Sequence, residues 1–388
     1  MRALPKNVWV LTLGLSVMMA CSSIVVFVGG IIGTTLAPSA ELSTLPIAAI
    51  IVGTAFFTIP VTFLMKKLGR RKAFLIIVAS SIGFSLLASY SIQEESFYLF
   101  CLSLLLLGMS IATLNQFRFA AMESVAVELF PKAASTVLLG GIAAAFIGPE
   151  VALAGRELFD TEYSGSFFML SALFSLGLII LFFYQNSEAS AEDHSEEGRD
   201  ILVIMRQPVF LAAVLSAAVG YAVMSFIMTA TPVSMHVMDG HSLEETKWVI
   251  QSHILAMFLP SLISSYIIRK IGNVRMMLVG ILAFCICIAV AYSGHQVGHY
   301  WWSLLLLGVG WNFLFIGGTT LLPLSYNGNE RFKVQAVNDF IIFGTQAVSA
   351  LSAGFVMHAL GWETLVVICI PFLLIPVGAL VFYSKSKG

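Results

Sequence analysis

The residues with the most distinctive chemistry lie in two neighbouring apolar stretches. The first reads Met224-Ser-Phe-Ile-Met228 and the second His253-Ile-Leu-Ala-Met257. Each pair is spaced i, i+4, so on a helix its two side chains share one face, one turn apart. Thioether sulfur and imidazole nitrogen are the donors that a soft, monovalent copper ion accepts, whereas Mg2+, Ca2+ and Mn2+ require oxygen. Methionine has no proton to lose, so such a site would take Cu(I) without releasing one, and of its ligands only His253 would respond to pH. Met235, His236, Met238 and His241 stand between the two stretches and would collect incoming metal at the mouth. A plainer expectation stands beside this one: methionine is a common gap-filler of apolar helices, and the chain has 16.

The elements that carry these residues follow from composition. The chain has 388 residues, of which 59% are hydrophobic and only 11% charged. A soluble domain carries about 25% charged residues, so a soluble enzyme, a disordered chain and a nucleic-acid binder are excluded. The 20 Lys and Arg against 21 Asp and Glu provide no field for a polyanion. The expectation is an all-α protein of the lipid bilayer. A crossing helix needs about 20 apolar residues. Such runs fall at 7–35, 42–65, 73–92, 97–122, 132–155, 164–184, 208–235, 245–268, 274–293, 300–323, 333–357 and 362–383. A polar, acidic stretch at 185–206 divides these twelve into a bundle of six within 1–184 and another within 207–388. The five cysteines all fall in apolar runs, so no disulfide framework is expected, and Cys285 and Cys287, two apart, would point to different helix faces.

Lys and Arg collect on the cytoplasmic side of membrane proteins. With the N-terminus inside, 17 of them fall in inner segments, only Arg156 and Lys247 in outer ones, and Arg118 within a span. Both termini and the acidic linker are therefore expected in the cytoplasm, with the protein in the cell inner (plasma) membrane. At 1.5 Å per residue, Met224, Met228, His253 and Met257 would lie about 9–18 Å below the outer surface, in a shared band around the middle of the bilayer.

The halves resemble each other in register. Ser103-Leu-Leu-Leu-Leu-Gly108 recurs as Ser303-Leu-Leu-Leu-Leu-Gly308, Lys132 opens span five as Lys333 opens span eleven, and Leu64-Met-Lys-Lys-Leu-Gly69 recurs as Ile267-Ile-Arg-Lys-Ile-Gly272. Parallel repeats of six helices are the plan of transporters that rock two bundles about a midplane site. The basic, glycine-centred loop resembles the signature of the major facilitator superfamily, departing from it at Thr62 and Lys66, where the family carries Gly and an acidic residue. The stretch Met224–Gly272, with Asn115-Gln-Phe-Arg-Phe-Ala-Ala121, is similar to the CcoA-like branch of that superfamily. That resemblance implies copper import, with Met224, Met228, His253 and Met257 as ligands, copper as substrate rather than cofactor, and a cytoplasmic copper acceptor as partner.

Polar residues inside a membrane default to functional roles. Arg118 would pair with Glu123 or another acid, or contact an anionic substrate. Glu150 and Asp339 would couple protons or satisfy a neighbouring helix. Asn115, Asn312, Asn338 and Gln346 would bond between helices, or, for Asn115 and Asn312, take part in coupling or contact the substrate. An alternative to copper is a carrier of an organic solute such as riboflavin or another small, anionic metabolite, with Phe117, Phe119, Trp311, Phe313 and Arg118 lining its path. A non-transporting sensor on the same scaffold is the third expectation. The chain contains no nucleotide-binding loop and no Ser/His/Asp set, so hydrolysis and ATP-driven pumping have no support.

Overall fold

The computed structural model describes residues 4–39, 42, 45–186 and 198–386. Most of the acidic linker, 187–197, lies outside them. All regular structure among the described residues is helical. Among the described residues, eleven helices are long and apolar enough to cross a bilayer: Lys6–Leu36 (span one), Leu45–Leu68 (two), Arg70–Gln93 (three), Phe97–Met122 (four), Val127–Ala154 (five), Ser164–Leu181 (six), Pro208–His236 (seven), Asn273–Tyr292 (nine), Val297–Ser325 (ten), Gly328–Met357 (eleven) and Ala359–Lys385 (twelve). Span eight is a pair, Glu244–Phe258 and Ser261–Ile271, bent by 42°. The expected runs agree with these to within a few residues.

The chain divides into two compact units. Unit 1 comprises Met1–Glu196 with Gln335–Phe340, and unit 2 comprises Glu197–Val334 with Ile341–Gly388. In unit 1, span one packs on five and six, two on four, and three on four and six. In unit 2, spans seven, eight and nine all pack along span ten. Ahead of span seven, the side chain of Asp200 accepts from the Leu202 amide and caps the short helix Ile201–Met205.

The repeat landmarks prove to be structural devices. Gly69 and Gly272 open spans three and nine with φ of 77° and 84°, a region that only glycine enters without strain. The second landmark sets helix approach. A Cβ on Gly108 would lie 2.5 Å from backbone atoms of Gly53 and Thr54 on span two, and one on Gly308 would lie 2.8 Å from the His253 carbonyl and Met257 amide on span eight. In lipid, where apolar surface gives helices no reason to associate, small residues that admit close backbone contact take over that task. The two Ser-Leu4-Gly segments therefore do the same work in both halves.

Span eight breaks at Pro260, which lacks the N–H its helix would use and so frees a carbonyl. Asn312 of span ten covers the break. Its Nδ2 donates to the Met257 carbonyl at 2.7 Å and to Ser261 Oγ at 2.8 Å, and its Oδ1 accepts from Ser264 Oγ at 3.0 Å. Neighbouring polar side chains are how membrane helices satisfy such interruptions, and Asn312 does so here from span ten.

Candidate functional site

The polar interior of unit 1 is built at a kink in span four, where helix Phe97–Asn115 gives way to Phe117–Met122 at Gln116. The kink brings Gln116 and Arg118 against the Gln335–Phe340 segment. Arg118 forms an ion pair with Asp339, both buried. Asp339 also accepts from Gln116 Nε2 at 2.7 Å and from Asn338 Nδ2 at 2.8 Å, and the Arg118 guanidinium lies 4.5 Å from the centre of the Phe119 ring. Arg70, at the start of span three, donates to both Glu123 oxygens at 2.7 and 2.6 Å, to Gln335 Oε1 at 2.6 Å and to Gln116 Oε1 at 3.2 Å. Two cations and two carboxylates are thus interleaved through shared amides. A buried charge is tolerated only when paired and further hydrogen-bonded in this way.

The acid on Arg118 is therefore Asp339, while the nearer Glu123 belongs to Arg70. Sequence reasoning passed over Arg70 because it sits among Lys66, Lys67, Arg71 and Lys72 and reads as one more cytoplasmic anchor. Glu150 is exposed and Asn115 half-buried on their helices. Phe117 packs on Phe74, with ring centres 4.8 Å apart, and belongs to the core.

Unit 2 holds the Met and His residues. Met224 and His253 are buried, and Met228 and Met257 partly so. Their helices, seven and eight, both pack along span ten, and His253 turns to that helix. Its Nδ1 lies 2.7 Å from the Leu304 carbonyl. A carbonyl only accepts, so Nδ1 carries the proton and Nε2 of the neutral ring presents a lone pair. That Nε2 is buried with no hydrogen-bond partner among the described residues. At one end of the unit, Met235 is buried and Met238 exposed. His236 Nδ1 donates to the His241 carbonyl at 2.8 Å, and His241 Nε2 donates to the His295 carbonyl at 2.7 Å. These histidines brace the turn between spans seven and eight.

Deeper in unit 2 lies an aromatic group that the sequence hid among 30 Phe. Tyr221 of span seven meets Trp311, Phe315 and Phe343 edge to face, with centres 5.2, 5.2 and 5.4 Å apart. Trp311 stacks on Phe315 at 5.0 Å and meets Phe258 at 5.9 Å. Edge-to-face contact is the favoured geometry for such rings. Trp311 is fully buried, yet its indole Nε1 has no hydrogen-bond partner among the described residues. A buried N–H without an acceptor costs about 1–3 kcal/mol. Phe313, on another face of span ten, lies where a Cβ on Gly280 would meet it at 3.0 Å.

Twelve apolar spans, a repeated glycine-centred loop and two compact units define a polytopic carrier scaffold. Residues 10–240 and 218–387 match the model of the Major Facilitator Superfamily. The chain belongs to that superfamily. It is 33% identical over 386 residues to the riboflavin transporter RfnT of Brucella anthropi, across 99% of this chain and 97% of that one. It is also similar in structure to a bacterial homologue of the iron transporter ferroportin in its outward-facing state, with TM-score 0.74, 12% identity, and 98% and 100% of the two chains covered. A third likeness is to the transporter FucP in its outward conformation, with TM-score 0.73, 16% identity and 99% of each chain covered. The superfamily expected from the loop signature thus holds. Its CcoA-like branch does not gain the same support: a relative matched over 99% of this chain is a riboflavin transporter.

Proposed function

We propose that the protein is a secondary carrier of riboflavin or a closely related flavin, importing it across the cell inner membrane with both termini in the cytoplasm. The observation that carries this reading is the full-length likeness to a riboflavin transporter. Two features of the chain support it. The orphaned indole N–H of Trp311, set among aromatic rings, matches a flat heteroaromatic solute whose ring carries carbonyl acceptors. The 17 basic residues of the segments assigned to one side, against two on the other, fit cytoplasmic termini.

Growth tests the reading. A bacterial strain unable to make riboflavin and lacking its own carrier should grow on low external riboflavin when it expresses this protein, and absence of growth despite membrane insertion would refute the reading. Trp311→Phe keeps the ring and deletes the donor. Losing one hydrogen bond of about 0.5–1.5 kcal/mol should weaken the apparent affinity for riboflavin by about 2- to 10-fold, measured as the KM of uptake with protein amounts matched.

One observation favours copper as a second reading. The buried lone pair on His253 Nε2, with Nδ1 fixed on a backbone carbonyl, is how metal-ligating histidines are commonly held. Met224, Met228 and Met257 would supply the sulfur. His253→Ala should abolish uptake of copper under that reading, and should leave riboflavin uptake largely intact under the first.

A further inference from the structure

We infer that unit 2 carries a proton-binding site at the end where spans seven and eight, nine and ten, and eleven and twelve connect: His295 takes up one proton beyond its neutral form when it stands between Asp239 and Glu363, and only that protonated ring ties both to the connection between spans nine and ten. The geometry is direct. His295 Nδ1 lies 3.0 Å from Asp239 Oδ2, and Nε2 lies 2.8 Å from Glu363 Oε1. An ionised carboxylate has only lone pairs to offer, so each ring nitrogen must donate, and only imidazolium has two N–H groups. Placing the proton on a carboxylate instead would put it on the weaker base, since carboxylates ordinarily titrate near 4 and imidazole near 6.5.

The groups around the ring come from every neighbouring segment. Tyr300 of span ten donates to the same Asp239 oxygen at 2.6 Å and is itself bonded to Ser234 of span seven. His241 donates to the His295 carbonyl, and the His299 ring sits where a Cβ on Gly294 would meet it at 2.7 Å. Glu363 stands two residues past Gly361, whose φ of 80° interrupts the helix near the start of span twelve. When the proton leaves, the neutral ring serves one carboxylate and turns a lone pair on the other. Asp239 keeps the Tyr300 hydroxyl. In the tautomer whose bare nitrogen is Nε2, Glu363, with half of its side chain exposed, loses its ring partner and can swing into water. Span twelve remains anchored by Trp362 Nε1 on the Ala291 carbonyl at 3.0 Å, so the proton governs the Glu363 attachment and not the packing of the whole helix.

The bond to Glu363 most of all, with Asp239 adding to it, holds His295 above its ordinary value of 6.5, and partial burial opposes them. The stabilisation is therefore fully present below about pH 6.5 and fades as pH rises through the raised value. In the orientation proposed above, this end faces outside, and the site reads external pH.

The seven histidines are few enough for NMR of the intact protein in detergent with histidine labelled, the His295 signal being the one absent from His295→Gln. Its titration midpoint should lie above 6.5 and fall in Glu363→Gln, whose half-exposed site tolerates the change. Thermal unfolding gives a second reading: raising pH from 6 to 9 should lower the Tm of the parent protein more than that of His295→Gln. A midpoint at or below 6.5, a midpoint unmoved by Glu363→Gln, or equal Tm shifts would each overturn the proposal. None of these measurements involves a transported solute, so they stand or fall apart from the riboflavin reading.

Discussion

Replacing Asp339 with alanine should destabilise the folded protein by about 3–5 kcal/mol, the cost of removing one partner from a buried ion pair. Asp339 is fully buried and takes donors from Arg118, Gln116 and Asn338. Alanine leaves the Arg118 cation without its carboxylate in a region that water does not reach. Arg118 cannot escape by losing its proton, because a guanidinium stays charged in proteins. Removing both charges is a different experiment. Arg118→Met with Asp339→Leu replaces a neutral pair with apolar side chains of similar reach, a change that is often neutral or stabilising when packing is good. Thermal unfolding in detergent should therefore rank the variants as parent and double variant together, with Asp339→Ala well below. A single variant as stable as the parent would show that the pair contributes nothing to unit 1.

The second large effect is steric. Gly108→Leu should cost about 3 kcal/mol, the upper range for forcing volume into a packed interior, and should reduce the amount of folded protein in the membrane. The first carbon of the new side chain would already lie 2.5 Å from the Gly53 carbonyl carbon and the Thr54 amide nitrogen. Backbone cannot rotate aside as a side chain can, so spans two and four would have to separate. Gly53→Ala meets the same wall from the other helix, 2.0 Å from the Leu105 carbonyl oxygen. Gly83→Ala on span three is the control, because nothing lies within 4 Å of its Cβ position. Its stability should be unchanged or slightly raised, since alanine favours helix over glycine by about 1 kcal/mol. Comparable losses at Gly83 and Gly108 would mean that close approach is not what the glycine provides.

The two tests draw on information of different kinds in the sequence. The spans were legible because hydrophobic length is a local property, and a bilayer demands it of every crossing segment. The repeat was legible because Gly69 and Gly272, and Gly108 and Gly308, meet backbone constraints that no other residue meets as well, so the same letter stands at both places. Pairing was not legible. Arg118 has Glu123 five positions away on its own span, yet its acid is Asp339, 221 positions distant, because the kink at Gln116 decides which way the guanidinium points. For the same reason, the i, i+4 spacing of Met224 with Met228 and of His253 with Met257 fixes a shared face for each pair but not the helix it meets. His253 meets span ten. Tyr221, Phe315 and Phe343 carry no local mark in a chain with so many aromatics. His295 lies in a short connection whose carboxylate partners come from another connection, Asp239, and from the first turns of span twelve, Glu363, and nothing in its own neighbourhood announces them.

The central claim is that this member of the superfamily moves a flavin. The purified protein in liposomes, with an inward proton gradient imposed and radiolabelled riboflavin outside, tests it most directly. Saturable accumulation that excess unlabelled riboflavin abolishes, and that equimolar copper leaves unchanged, is the expected result. Liposomes that take up copper but gain no more riboflavin than protein-free controls would contradict the account.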